Sequence, residues 1–351
     1  MKKRKTLSAI IMTLFLIIGC NNGGGEDPQK VFLTSIANLG KGFLDVFVTF
    51  GDMITGAFGI KAETKKSDVG KYFTDIEKTM ISVKEKLQDE VVANGNYEKV
   101  KTVVEQFITG TLDKIASGAK KAASGATTDA AIGNAVHNQD AVAADATSVN
   151  ALVRGIKEIV GVVLKDGEGD ASATKTKEEQ QKTIGKLFAK KDDDRAQEAE
   201  AAAANASIGA VSGVDILQAI AKSGEISDNN KNIEEAKDAA SIAAAKQTDD
   251  KKEIKDEAAK KDAVIAAGIA LRAMAKDGKF TAKNNEEKSA HAVNGAAASA
   301  VGKTLSTLII AIRNTVDSGL KKINEALATV KQEDKSARAT KTAEVTASVQ
   351  N

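Results

Sequence analysis

Apolar residues recur along most of this chain at steps of three and four, the spacing that sets them on one face of an α-helix. Phe73, Ile76, Met80, Val83 and Leu87 form one such face, and Asn94-Gly95 closes it, since glycine accepts left-handed φ. Val100, Val104, Phe107, Leu112 and Ile115 mark a second helix, and the short connection between the two predicts an antiparallel hairpin. Val149, Leu152, Val153, Ile156, Ile159, Val160 and Val163 mark another amphipathic helix. The most sustained run is Val301, Leu305, Leu308, Ile312, Val316, Leu320, Ile323, Leu327 and Val330, a helix of about thirty residues and roughly 45 Å. Near the N-terminus, Phe32, Ile36, Leu39, Phe43, Phe47, Phe50 and Phe58 crowd residues 28–60. Lys41, Asp45 and Asp52 interrupt that stretch, and centrally placed charges are costly in lipid, so it predicts one or two core helices rather than a membrane span.

Between these segments lie polar stretches poor in large apolar side chains, at 117–148, 165–181, 190–207 and 228–262. They are expected as surface loops or thin exposed helices that carry little of the core. Lys190 to Arg195, a charge run, reads as a solvated helix end or loop. A weak internal echo aligns Leu217 to Ile226 with Leu271 to Phe280 at an offset of 54 residues. Both copies read as the last turns of a helix, a glycine at C′ (Gly224, Gly278), and an apolar residue folding back. Lys222 and Lys276 then sit near the negative helix ends.

Composition sharpens this picture. The 351 residues suit one large domain or two small ones. Aromatics are only 3%, which argues against a sandwich or barrel, and a single proline lets helices run long. Two histidines and one cysteine leave little material for metal or thiol chemistry.

The first residues set the compartment. Met1-Lys2-Lys3-Arg4-Lys5 is a basic region, Leu7 to Ile18 is apolar, and Gly19-Cys20 follows, which together make a secretory signal too short to span a bilayer. Ile17-Ile18-Gly19-Cys20 resembles a bacterial lipobox in its looser spirochaetal form. Cleavage between Gly19 and Cys20, with acyl chains on Cys20, is the expected processing. An ordinary signal peptide with a coincidental cysteine ranks lower, because the chain's only cysteine sits where a lipobox needs it. Acyl chains each contribute roughly 0.8 kcal/mol per buried CH₂, and more than one makes anchoring stable. Asn21 to Asp27, glycine-rich and polar, reads as a flexible tether. Loss of the leader removes four basic residues and leaves 46 Lys+Arg against 48 Asp+Glu, a formal charge of −2. The mature chain therefore has no global bias toward nucleic acid.

Catalytic motifs are missing. Gly302-Lys303-Thr304 matches the end of a P-loop, but the spacing needs glycine where Ala297 stands, and an alanine-rich helix surrounds it. His137 and His291 lack neighbouring His or Cys and read as solvated polar residues. No Gly-x-Ser-x-Gly elbow occurs, and the carboxylates interleave with lysines as on exposed helix faces. The expectation is a non-enzymatic chain with no cofactor and no metal.

The leader, the tether, Gly40-Lys41-Gly42-Phe43, the long C-terminal helix and above all Ile269-Ala270-Leu271-Arg272-Ala273-Met274-Ala275-Lys276-Asp277-Gly278-Lys279-Phe280 resemble the variable large proteins of relapsing-fever Borrelia and the related VlsE-like lipoproteins. The VlsE type is expected to carry glycine where this chain has Ala273, which favours the variable-large-protein branch. The resemblance implies an all-α, elongated multi-helix bundle with long polar loops, anchored in the outer membrane through lipid and facing the exterior. It further implies one variant expressed at a time, with host antibodies as the partner evaded. The expected organisation is a signal peptide at 1–19, lipidated Cys20 with its tether to 27, one helical antigen domain over 28–331, and a polar tail at 332–351. The four polar stretches are expected to form the outermost, antigenic surface, on a monomer or weak dimer. An alternative reading is an adhesin for host glycosaminoglycan or matrix protein, motivated by Lys65-Lys66, Lys120-Lys121 and Lys251-Lys252. Acids flank most of these pairs, which favours solvated helix faces.

Overall fold

A computed structural model describes residues 28–53, 59–94, 97–191 and 196–331, with side chains in the first segment described from residue 31 to 46. Helices dominate, and among the described residues there is no β-strand, only isolated bridges such as Val142 with Lys279. The order is α1 (Pro28–Met53), α2 (Lys66–Ala93), α3 (Glu98–Phe107), a π-helical turn (Ile108–Leu112) and α4 (Asp113–Ala123). There follow α5 (Ala146–Val163), α6 (Glu178–Thr183), a 3₁₀ turn (Ile184–Phe188), α7 (Glu198–Ala210) and α8 (Gly213–Lys222). A 3₁₀ turn (Ile233–Glu235), α9 (Ala239–Ala243), α10 (Asp262–Met274) and α11 (Glu287–Ala328) complete the chain. The all-α expectation is correct.

The described residues divide into two compact units, one of residues 28–53, 79–94, 97–113 and 315–331, the other of residues 59–78, 114–191 and 196–314. In the first unit the core is made by Ile36, Leu39, Phe43 and Val46 of α1, Met80, Val83 and Leu87 of α2, Val104 and Phe107 of α3, and Val316, Leu320 and Ile323 of α11, all buried. These are the positions that the three-and-four spacing selects. Lys84 reaches Asp113 at 2.8 Å, as an antiparallel pairing across the α2–α3 connection requires. The second predicted helix is interrupted by the π turn over Ile108-Thr109-Gly110-Thr111-Leu112. That extra residue rotates the phase so that Phe107, Ile108, Leu112 and Ile115 all stay buried. Phe47, Phe50 and Phe58 lie outside the described side chains.

The second unit is centred on α10. All thirteen of its residues are buried, as befits a helix apolar on nearly every side. Around it pack α5, α7, α8 and α9, with α5 starting at an Asp145 side chain that accepts from Ser148 N. α4 and α5 cross at a pair of glycines. A Cβ on Gly118 would lie 2.7 Å from Gly155 O, and one on Gly155 would lie 2.4 Å from Gly118 O. The helix read from Val301 onward begins fourteen residues earlier, at Glu287, through an alanine-rich turn sequence. It is long and apolar enough to cross a membrane, yet 56% of its most apolar window is buried within the protein, as in a core helix.

Two expectations need correction. The polar stretches are not peripheral to the core. Ile132 and Ala144, Ala196 and Ala204, and Ile233, Ala239, Ile242, Ala243 and Ile254 are fully buried or nearly so. Residues 239–243 even form a helix, α9, capped by Asp238. A methyl group packs as tightly as a larger side chain when backbones approach closely, but alanine leaves little mark on a pattern weighted toward large residues. Only 165–181 comes close to the expectation, with Ala171 and Gln181 as its buried residues and its last four residues opening α6. The echoed helix ends also differ from expectation. Ser223 and Ala275 leave their helices in extended conformation, and the left-handed residue is Asp277 (φ 64°), not Gly278. Gly278 is demanded by space instead: a Cβ there would lie 2.1 Å from Arg272 O.

Candidate functional site

Gly19 and Cys20, the predicted processing and lipidation residues, lie outside the described residues, as do Asp192 to Arg195 of the charge run. The paired lysines proposed for an adhesin are placed as follows. Lys66 is fully buried, so Lys65-Lys66 does not present two ammonium groups to a ligand. Lys121 pairs with Glu158 at 2.7 Å, and Lys251 lies 3.5 Å from Asp250 and 4.0 Å from Glu234. The P-loop-like Lys303 sits within α11, and its Nζ donates to Ile208 O at 2.8 Å and to Val211 O, capping the end of α7. His137 and His291 contact Asn138 and Glu287, and among the described residues no group of His, Cys, Asp and Glu could hold a metal ion.

The segment 269–280 that carries the resemblance forms a buried cationic centre. Arg272 projects from α10 with its guanidinium 5.0 Å from the Phe188 ring centre and 6.0 Å from that of Phe280. Its Nε donates to Lys279 O at 2.9 Å, and its Nη1 donates to Ala243 O and Ala245 O at 2.9 and 3.0 Å. Lys66 enters from the start of α2 and donates from Nζ to Arg272 O, Ala275 O and Gly278 O at 3.1, 2.6 and 2.9 Å. The lysine thereby caps the open carbonyls at the end of α10. Asn134 donates to Gly278 O as well, at 2.7 Å. Five separate stretches of chain meet here through backbone carbonyls rather than carboxylates. Burial pulls Arg272 down to about 9, so it keeps its charge at neutral pH. Burial first, then the positive charge of Arg272, pulls Lys66 down from 10.5 to about 7, opposed by the carboxylate of Asp277. The centre is sealed from solvent. Its chemistry is that of a structural knot that ties the ends of α2, α9 and α10 together.

The exposed loop 165–180 is built differently. Its side chains face solvent while its backbone is fastened from below. The Asp262 carboxylate, at the first position of α10, accepts from Lys175 N at 2.6 Å, Thr176 N at 2.8 Å and the Thr176 hydroxyl at 2.5 Å. Gln181 adds a bond to the same carboxylate at 3.1 Å. Burial works to raise the Asp262 pKa, but the Lys175 and Thr176 donors outweigh it and hold the group below its ordinary value. On α8, Asp215 accepts from Asp170 N at 2.7 Å and Gln218 donates to Glu168 O at 2.9 Å. The solvent-facing side chains of such a loop can be exchanged at little cost, because most of the bonds that hold it go to backbone atoms; Thr174 and Thr176 are the exceptions, since their hydroxyls join the Gln181 and Asp262 side chains. Sequence reasoning missed the Ser212-x-x-Asp215 capping box and the buried charge of Arg272, although the spacing of the first and the apolar run around the second are signals that could have found them. Nothing local marked Asp262 as the loop's fastening point.

An all-α core that presents backbone-fastened polar loops defines a scaffold for displayed surface. Comparison with known proteins agrees. A family model described as Borrelia lipoprotein matches residues 43–327, and the chain belongs to this family of surface-antigen lipoproteins, which is not a family of enzymes. Among curated relatives, variable large protein 17 of Borrelia hermsii is 68% identical, covering 99% of each chain. Variable large protein 4 of the same organism is 66% identical, covering 99% of this chain and 100% of its own length. Among solved structures, the Lyme disease variable surface antigen VlsE of Borrelia burgdorferi superposes with a TM-score of 0.74 at 37% identity, over 84% of this chain and 97% of that one.

Proposed function

We propose that this chain is an outer-membrane lipoprotein, fastened by acyl chains on Cys20 and facing the exterior, and that it serves as a variable antigen by which the cell evades antibody. The observation that carries the reading is full-length similarity to variable large proteins from which about a third of aligned positions differ. A fold that holds its exposed loop by backbone atoms suits that role, because side chains can be replaced at little cost in stability. Exclusive expression of one variant follows the same logic, since a mixed coat would expose old and new epitopes together. The mechanism is steric and antigenic and involves no turnover.

The test compares wild type and Cys20→Ala expressed in a spirochaete. Wild type is expected to incorporate labelled palmitate, to enter the detergent phase, and to be degraded when intact cells meet protease. The variant is expected to remain unlabelled and aqueous. Wild-type protein that stays aqueous, or that resists protease until the cells are lysed, refutes the anchoring. Sera raised against this chain are expected to miss cells expressing a relative 66% identical to it, and equal killing of both refutes the evasion role.

A further inference from the structure

We propose that a groove between the 165–180 loop and the start of α10 binds a small sugar-sized molecule bearing sulfate or phosphate groups. The groove encloses about 390 Å³, the scale of a small-molecule site. Ser172 of the loop, Lys222 at the end of α8, Lys237 and Asp238 before α9, and Glu257 and Lys261 before α10 line it. All belong to the second compact unit.

The charge balance points to an anion. The ammonium groups of Lys222, Lys237 and Lys261 make no ion pair or hydrogen bond among the described residues. Both acids are already engaged. Asp238 accepts from Ser241 N at 2.8 Å, from the Ser241 hydroxyl at 2.6 Å and from Gly224 N at 2.9 Å. Glu257 is bridged to Lys260 at 2.5 Å. Three cations therefore share one concavity with a single carboxylate that has no ion-pair partner there, Asp238, while Glu257 is paired to Lys260, which leaves the lining an excess of positive charge. α10, thirteen residues long, begins at the same place and adds the partial positive charge of its N-terminus. The N–H of Val264, which also lines the groove, has no hydrogen-bond partner among the described residues.

The donor set selects the ligand class. Lysine ammoniums are compact point charges with freely turning donors, whereas planar carboxylates are best matched by the fork of arginine. A tetrahedral oxyanion offers oxygens in several directions, so sulfate or phosphate can reach more than one of the three lysines. The groove lies against the loop that the proposed function treats as displayed, but the inference stands without that function.

The test is a calorimetric titration of the full-length chain, purified in detergent, at low ionic strength. The probes are a trisulfated disaccharide, a hexose 6-phosphate and sodium acetate. Saturable binding of either sugar supports the site and identifies its oxyanion. Lys222→Gln/Lys237→Gln/Lys261→Gln is expected to weaken it at least about tenfold, roughly 1.4 kcal/mol. A control that removes the same charge elsewhere, Lys78→Gln/Lys114→Gln/Lys120→Gln, is expected to bind as wild type. Lys237→Gln alone gives a second reading, a shallower salt dependence of binding. Absence of saturable binding by both sugars, equal binding of acetate, or equal loss in the control variant overturns the proposal.

Discussion

Lys66 makes the fold's stability rise with pH, as a lowered carboxylate does, but in a neutral-to-alkaline window rather than an acidic one. In the folded chain its ammonium loses its proton near pH 7, against 10.5 when solvated, because burial and the Arg272 charge oppose it. Below about pH 7 both folded and unfolded chains hold the proton, and Lys66 contributes no slope. Between 7 and 10.5 the unfolded chain holds one proton more than the folded chain, so stability rises with pH. A full proton corresponds to about 1.4 kcal/mol per pH unit, and the whole window to an upper bound of about 5 kcal/mol. The geometry accommodates the neutral amine. It keeps two donors for three acceptors, and Gly278 O retains Asn134 Nδ2 as a donor. The assay is denaturant unfolding at steps from pH 6 to 9.5, for wild type and Lys66→Met. The methionine leaves Arg272 O and Ala275 O without the lysine's hydrogen bonds, an expected loss of about 2–4 kcal/mol at pH 7. The decisive quantity is the difference in slope, which is expected only in wild type. Asp277→Asn, which keeps a residue tolerant of φ 64° and removes the opposing carboxylate, is expected to move the onset of the slope to lower pH without unfolding the chain. Parallel pH profiles for wild type and Lys66→Met refute the reasoning, as does an unmoved onset in Asp277→Asn.

Two further outcomes follow from packing and from the loop's fastening. Gly278→Ala forces a methyl against the Arg272 carbonyl and is expected to cost about 2–4 kcal/mol. Gly161→Ala on α5, where a Cβ meets nothing within 4 Å, is expected to stabilise by about 0.5–1 kcal/mol; thermal melts of both check the pair. Asp262→Ala strands Lys175 N and Thr176 N, so their amide exchange is expected to quicken while amides in α5 stay protected. In wild type the Asp262 contribution is present above the ordinary carboxylate range and is lost as pH falls through the group's lowered value; Asp262→Ala removes that acid-side dependence.

The fit between sequence and structure varies with side-chain size. α5 was legible residue by residue, because Val149 to Val163 are large, evenly spaced and buried on one face. α9 was hidden, because Ala239-Ala240-Ser241-Ile242-Ala243 carries only one large apolar group. The same blindness made 228–262 look peripheral, although Ile233, Ala243 and Ile254 are shut away from solvent. For the site, the leader and the 269–280 motif pointed to the right family. The family comparisons match its length without describing Cys20. Lys65-Lys66 illustrates the opposite error. Two adjacent lysines look alike in sequence, yet one is buried on three carbonyls while the other is exposed.

What the order of residues determined alone is the helical class, the place of the strongest amphipathic faces and the lack of catalytic motifs. Each of these depends on local spacing or composition, which needs no knowledge of what lies opposite. Tertiary structure alone decided that Lys66 caps α10 from 206 residues away and that Asp262 holds the backbone of a loop 86 residues earlier. It likewise decided that alanine-rich stretches fill the core. Those outcomes depend on which carbonyls and methyl groups meet after the chain has closed on itself, and no local pattern encodes that meeting.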